Sequence, residues 1–164
     1  MAKALAFVQD NNIRSIEELE ELASATADDY AKIHSALKAT EARLTKVNLM
    51  IKNTGQYLAN KDVYHQYLNS KNKAAFREEI TLYEAARKYL QEESGGKKLP
   101  TIKQLKEEKN NLLVLKNQQY DEYSTFKARH RQIQAVQHNI HTALGVNQRY
   151  ENSKETEKKQ EQSI

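Results

Sequence analysis

The chain contains no cysteine and no tryptophan, and only one proline and four glycines in 164 residues. Without cysteine there can be no disulfide, thiolate zinc site, iron–sulfur cluster or cysteine nucleophile, and a reducing compartment is permitted. With so few turn formers, a sandwich, barrel or doubly wound sheet of this length lacks the punctuation its loops need. No stretch approaches the roughly 18 to 20 consecutive apolar residues of a membrane span. The first residues lack the cationic start, apolar run and small-residue cleavage site of a signal peptide. The absences together predict a soluble, cytoplasmic chain of long helices with no membrane insertion.

What is present fits that reading. Hydrophobic residues make up 38% and charged residues 29%, a mix that suits helices burying one stripe each. Net charge is +4, but it is unevenly placed: residues 1–30 carry two basic and seven acidic side chains, residues 31–98 carry 13 and seven, and residues 99–164 carry 11 and eight. The positive excess therefore follows an acidic start, and an anionic partner is compatible with it.

Spacing predicts the elements. A short helix from Ala2 to about Gln9 ends in the turn Asp10-Asn11-Asn12. Ser15 and Glu18 then have the spacing of a capping box. From there Ile16, Leu19, Ala23, Thr26, Tyr30, Ile33, Leu37, Thr40, Leu44, Val47, Ile51, Thr54 and Leu58 recur every three or four residues, a coiled-coil seam weakened by three threonines. Gly55 is a place for a kink or break. Asn69 to Lys73 form a connection, and a third helix from about Ala74 to Glu93 carries Phe76, Ile80, Tyr83 and Leu90. Gly95 or Gly96 supplies its left-handed cap.

Thr101 and Gln104 open the last helix with a second capping box. Along it one line holds Leu105, Leu112, Gln119, Phe126, Ile133 and Ile140. The companion line holds Ile102, Lys109, Lys116, Tyr123, His130, Gln137 and Leu144. Gly145 is expected to end this helix. The reading is an all-α chain, an elongated antiparallel helical hairpin of two long helices plus shorter ones, over residues 1–145. Residues 146–164 form a polar tail without a hydrophobic face, expected to be disordered or frayed.

Chemistry is sparse. His138 and His141 stand at i,i+3, but no carboxylate falls between residues 123 and 150 to complete a metal site. There is no glycine-rich phosphate loop, serine elbow or paired catalytic carboxylate. The nine tyrosines lack a basic or metal cluster that would turn one into a nucleophile, and they read as amphipathic seam residues. Two basic stretches can meet phosphate: Lys38, Arg43, Lys46, Lys52 and Lys61 against a single Glu41, and Lys127, Arg129, Arg131 and Arg149 with no acid among them. A solvated coiled-coil flank would look the same. No catalytic, cofactor or metal residue is expected.

The order of the segments carries a resemblance. Ala6 to Ile13 followed by Ser15-Ile16-Glu17-Glu18-Leu19, then Asp62-Val63-Tyr64 with Tyr67, then Phe76 to Ala86, then Lys97 to Leu105, and finally Ala143-Leu144-Gly145 resemble in succession the C-terminal region of relaxases from mobilisable and conjugative elements of Gram-positive bacteria. The resemblance implies a helical accessory region downstream of a nicking domain. In such relaxases that domain uses a tyrosine, a histidine-hydrophobe-histidine motif and a divalent metal.

This chain has no such motif, because His138-Asn139-Ile140-His141 has the wrong spacing, and no tyrosine here inherits the nucleophile role. The implied role is non-catalytic: contacts with relaxosome or transfer-machinery proteins, with itself, or with DNA during plasmid transfer. Two alternatives stand beside it, a stand-alone homodimeric coiled coil and a non-specific DNA-binding helical protein.

Overall fold

The computed structural model describes the backbone of residues 2–161 and the side chains of residues 2–145. The chain is all-α: α1 (Ala2–Asp10), α2 (Ile16–Asn69), a 3-10 turn (Lys73–Phe76), α3 (Arg77–Ser94) and α4 (Ile102–Glu161). Among the described residues there is no strand. No helix there is long and apolar enough to cross a membrane. The side chains of the expected polar tail, and residues 162–164 entirely, lie outside the described residues.

Local chemistry places the ends of the elements. α1 closes on Asn12, whose φ of 53° is left-handed, with the amides of Asn11 and Ile13 returning to the carbonyls of Phe7 and Val8. The Ser15 hydroxyl accepts from the Glu18 amide at 3.2 Å. The return half of that box is displaced by one residue, since the Glu18 carboxylate accepts from the Arg14 amide at 2.7 Å. At Thr101 the box is reciprocal: Thr101 N–H donates to Gln104 Oε1 at 2.9 Å and Gln104 N–H donates to Thr101 Oγ1 at 3.2 Å. Gly95 caps α3 at φ 51°, its amide donating to the Gln91 carbonyl.

Two expected breaks are absent. α2 runs through Gly55, and α4 runs through Gly145. A helical glycine costs only about 1 kcal/mol relative to alanine, less than the surrounding helical hydrogen bonds and packing return, so it need not end an element.

The chain divides into two compact units, residues 1–35 with 121–164, and residues 36–120. In the first, the amino-terminal part of α2 lies antiparallel to α4, and α1 packs on both. Its core is Ala4, Phe7, Leu19, Ile133 and Val136. In the second, the remainder of α2 pairs antiparallel with the start of α4, and Val47, Met50 and Leu105 form a core bordered by Ile51, Tyr89, Leu99 and Leu112. α3 buries Ile80, Tyr83, Ala86 and Leu90.

The seam threonines Thr26 and Thr40 are buried. Each returns its hydroxyl to its own helix, to the carbonyls of Leu22 and Ala36, at 2.8 and 3.1 Å, so no polar group is stranded there. Gln119, in the gap of the α4 line, does enclose an amide oxygen with no hydrogen-bond partner among the described residues.

Three expected seam positions are exposed instead: Ile16 (41%), Leu58 (53%) and Leu144 (38%). Met50, Ala86 and Val136 take core places that a strict heptad line omits.

Candidate nucleic-acid interface

The basic residues singled out from sequence fall in both units, and the side chain of one of them, Arg149, lies outside the described residues. In the second unit the strip on α2 is not opposed by Glu41 alone. Arg43 Nε meets Glu108 of α4 at 2.6 Å, and Lys46 Nζ meets Glu93 of α3 at 2.7 Å. Glu41 itself pairs with Lys116 of α4 at 2.9 Å. Glu108 beside Arg43 holds that guanidinium above its ordinary value, with Glu93 adding to it. Lys38 and Lys52 are exposed, and neither takes part in an ion pair among the described residues. Carboxylates supplied by α3 and α4 thus neutralise two of the five cations of that strip, Arg43 and Lys46. Spacing along one helix carries no information about charges that arrive from another.

The first unit arranges its cations differently. Lys127 and Arg131 are one turn apart on α4, so they project from one face, whereas Arg129 is rotated by roughly 160° from either. Arg129 borders an open cleft of about 610 Å³ between α1 and α4, with Lys3, Asp10, Asn11 and Gln132. Lys127 Nζ lies 5.3 Å from the centre of the Tyr123 ring, within cation–π range.

That ring belongs to a four-ring cluster. Tyr30 stacks on Tyr123 and on His130, each with centroids 5.4 Å apart, and His34 stacks on Tyr30 at 6.1 Å and on Tyr123 at 5.7 Å. All four are half-buried. The two phenols share a hydrogen bond of 3.2 Å. That bond, with the Lys127 ammonium and the Arg131 guanidinium nearby, holds the Tyr123 hydroxyl below the ordinary phenol range. The same bond, with burial, pushes Tyr30 up. Either phenol can donate in that bond.

Sequence reasoning singled out these tyrosines and His130 as seam residues, not as one cluster. The i,i+4 pair Tyr30 and His34 facing Tyr123, Lys127 and His130 was the available signal. It needed the pairing of α2 with α4 to become legible.

In the second unit another aromatic row forms. Tyr57 and Tyr64 stack on Tyr83 at 5.0 and 4.4 Å, Tyr64 continues to Tyr67, and Lys73 lies over the Tyr67 ring. Burial first, then the Tyr57 hydroxyl, raises the Tyr83 phenol. This row is packing chemistry: the rings stack on one another, with Tyr83 buried among them.

Among the described residues no group of three or more histidine and carboxylate side chains could hold a metal ion. His141 Nε2 meets Glu20 at 3.1 Å, an exposed pair within the first unit. Compared with family models, with curated proteins and with solved structures, the chain finds no match in any of the three.

Proposed function

We propose that this chain is a non-catalytic helical accessory region of a mobilisation relaxase, working in the cytoplasm through protein–protein contacts of the relaxosome. The observation that carries an interaction role is one turn of α4. Leu112 packs against the core of the second unit, while Leu113, Val114 and Leu115 remain 39%, 59% and 42% exposed. They sit within residues 110–120, where the sole charged side chain is Lys116, itself paired with Glu41. A charge-poor, apolar surface on so charged a chain suits burial against a protein partner. The relaxase context rests on the ordered resemblance of five segments and on the missing histidine motif.

Two measurements test the reading. A continuous coding frame upstream of Met1 that contains a histidine-hydrophobe-histidine motif is expected; a stop codon and ribosome-binding site just before Met1 would sink the relaxase context. In a mobilisable element carrying the chain, Leu113→Lys with Val114→Lys should lower transfer frequency while nicking at the transfer origin is unchanged. Unaltered transfer would remove the interaction role of this turn.

A further inference from the structure

We infer that the first unit contains a binding site for the backbone phosphates of nucleic acid, formed by Lys127, Arg131 and the Tyr123 hydroxyl on one face of α4. The inference rests on reading the basic segment of α4 as a nucleic-acid contact, and it divides that segment into residues that bind and one that does not.

Register comes first. Positions 123, 127 and 131 repeat at i+4, so phenol, ammonium and guanidinium follow one line along the helix. Lys127 is fixed over the Tyr123 ring, which limits the side-chain entropy lost when an anion arrives. Arg131 is exposed.

The local charge is the second observation. Neither cation is in an ion pair among the described residues. The charges acting on the Tyr30 and Tyr123 hydroxyls are Lys127 and Arg131, with no carboxylate among them. This contrasts with the α2 strip, whose Arg43 and Lys46 are already matched by Glu108 and Glu93. An anion at Arg43 or Lys46 must displace an acid; at Lys127 and Arg131 it need not.

Chemistry then selects the ligand. Two cations of different shape, one a point charge and one a planar fork, beside a hydroxyl suit phosphate oxygens. The aromatic rings are engaged with each other and with Lys127, so their faces are not open platforms for bases. The site therefore reads phosphate, not sequence, and binding must be salt-dependent. His34 and His130 stack in the same cluster. Arg129 faces the α1 cleft beside Asp10 and is excluded from the same phosphate line.

The test is fluorescence anisotropy of the full chain with a labelled 20-nucleotide single strand and its duplex, across a salt series starting at about 50 mM. The expected result is binding to at least one of them, weakened about tenfold or more by Lys127→Gln with Arg131→Gln. The slope of log affinity against log salt should shrink by roughly 0.7 to 0.9 for each phosphate-binding cation removed. Arg129→Gln should bind as the native chain does, and Lys127→Arg should retain affinity. Far-UV circular dichroism confirms that each variant is folded. If the native chain binds and the double variant binds equally well, this site is wrong while nucleic-acid binding elsewhere survives. If the native chain binds neither probe, the site and the nucleic-acid reading fail together. The relaxase context stands or falls separately on the upstream frame.

Discussion

The hydroxyls of Tyr30 and Tyr123 meet at 3.2 Å across the pairing of α2 with α4, and the bond makes two chemically identical groups unequal. The shared bond, with Lys127 and Arg131 near it, holds the Tyr123 hydroxyl below the ordinary phenol range, while the same bond and burial push Tyr30 up. In an alkaline spectrophotometric titration, Tyr123→Phe should remove an early-ionising phenol and Tyr30→Phe a late one. The reverse order would contradict the stated directions of the two shifts.

The same shifts give stability a sign. A raised phenol contributes stability that is present below the unfolded value near 10 and lost as pH climbs through the folded value; a lowered phenol contributes above that range and loses it as pH falls. Tyr30, Tyr83 and Tyr89 are raised and Tyr123 is lowered. Three against one, the phenols should destabilise the fold as pH passes about 10. Urea midpoints at about pH 9 and pH 11 measure this. Tyr83→Phe and Tyr89→Phe should flatten the fall relative to the native chain, with lysine titration common to all.

Core burial separates positions that a heptad line treats alike. Ile133 is fully enclosed, whereas Leu58 is half exposed. Ile133→Ala should cost about 2 to 5 kcal/mol, because the loss of transfer free energy adds to the cavity left behind. Leu58→Ala should cost less than about 1 kcal/mol. Chemical denaturation of the two variants decides it, and equal losses would mean that α2 presents another face to its neighbours.

Those two residues also show how far the sequence was legible. Leu19, Leu37, Val47, Leu105 and Ile133 were all placed on seams by spacing, and all are buried. Ile16 and Leu58, at the two ends of the α2 line, and Leu144, at the end of the α4 companion line, are not. Along the later part of α2, Met50 is buried beside half-buried Ile51, and half-buried Tyr57, stacked on Tyr83 of α3, turns inward where Leu58 does not. Contacts with a neighbouring helix, which spacing along α2 does not carry, select these residues. The candidate site was less legible. Acids reach Arg43 and Lys46 from α3 and α4, and Tyr30 reaches Lys127 through Tyr123, relationships that exist only once helices are paired. The Glu18 carboxylate chose the Arg14 amide over that of Ser15, a one-residue difference that a spacing rule cannot resolve.

The ion pairs of the second unit are visible but weak. Arg43 and Glu108 remain 44% and 33% exposed on their side chains, and water screens such a pair, so a double-mutant cycle on it should yield no more than about 1 kcal/mol. That value should shrink toward zero in about 1 M salt. A coupling of several kcal/mol, insensitive to salt, would place the pair in a far drier environment than its exposure indicates.

Glycine supplies the last contrast, because two glycines of the second unit do opposite things. Gly55 lies inside α2, and a methyl group there would meet nothing within 4 Å. Gly55→Ala removes conformational freedom from the unfolded chain without strain, and it should raise stability by about 0.5 to 1 kcal/mol. Gly95 also has open space around it, but its φ of 51° is left-handed, where an added Cβ crowds the carbonyl oxygen. Gly95→Ala should therefore destabilise by about 1 to 2 kcal/mol and loosen the Gln91 cap of α3. Thermal melts of both variants read the difference directly. If Gly55→Ala were destabilising, Gly55 would have to be the bend in α2 that its place in the sequence first suggested, and the continuous helix through it would be wrong.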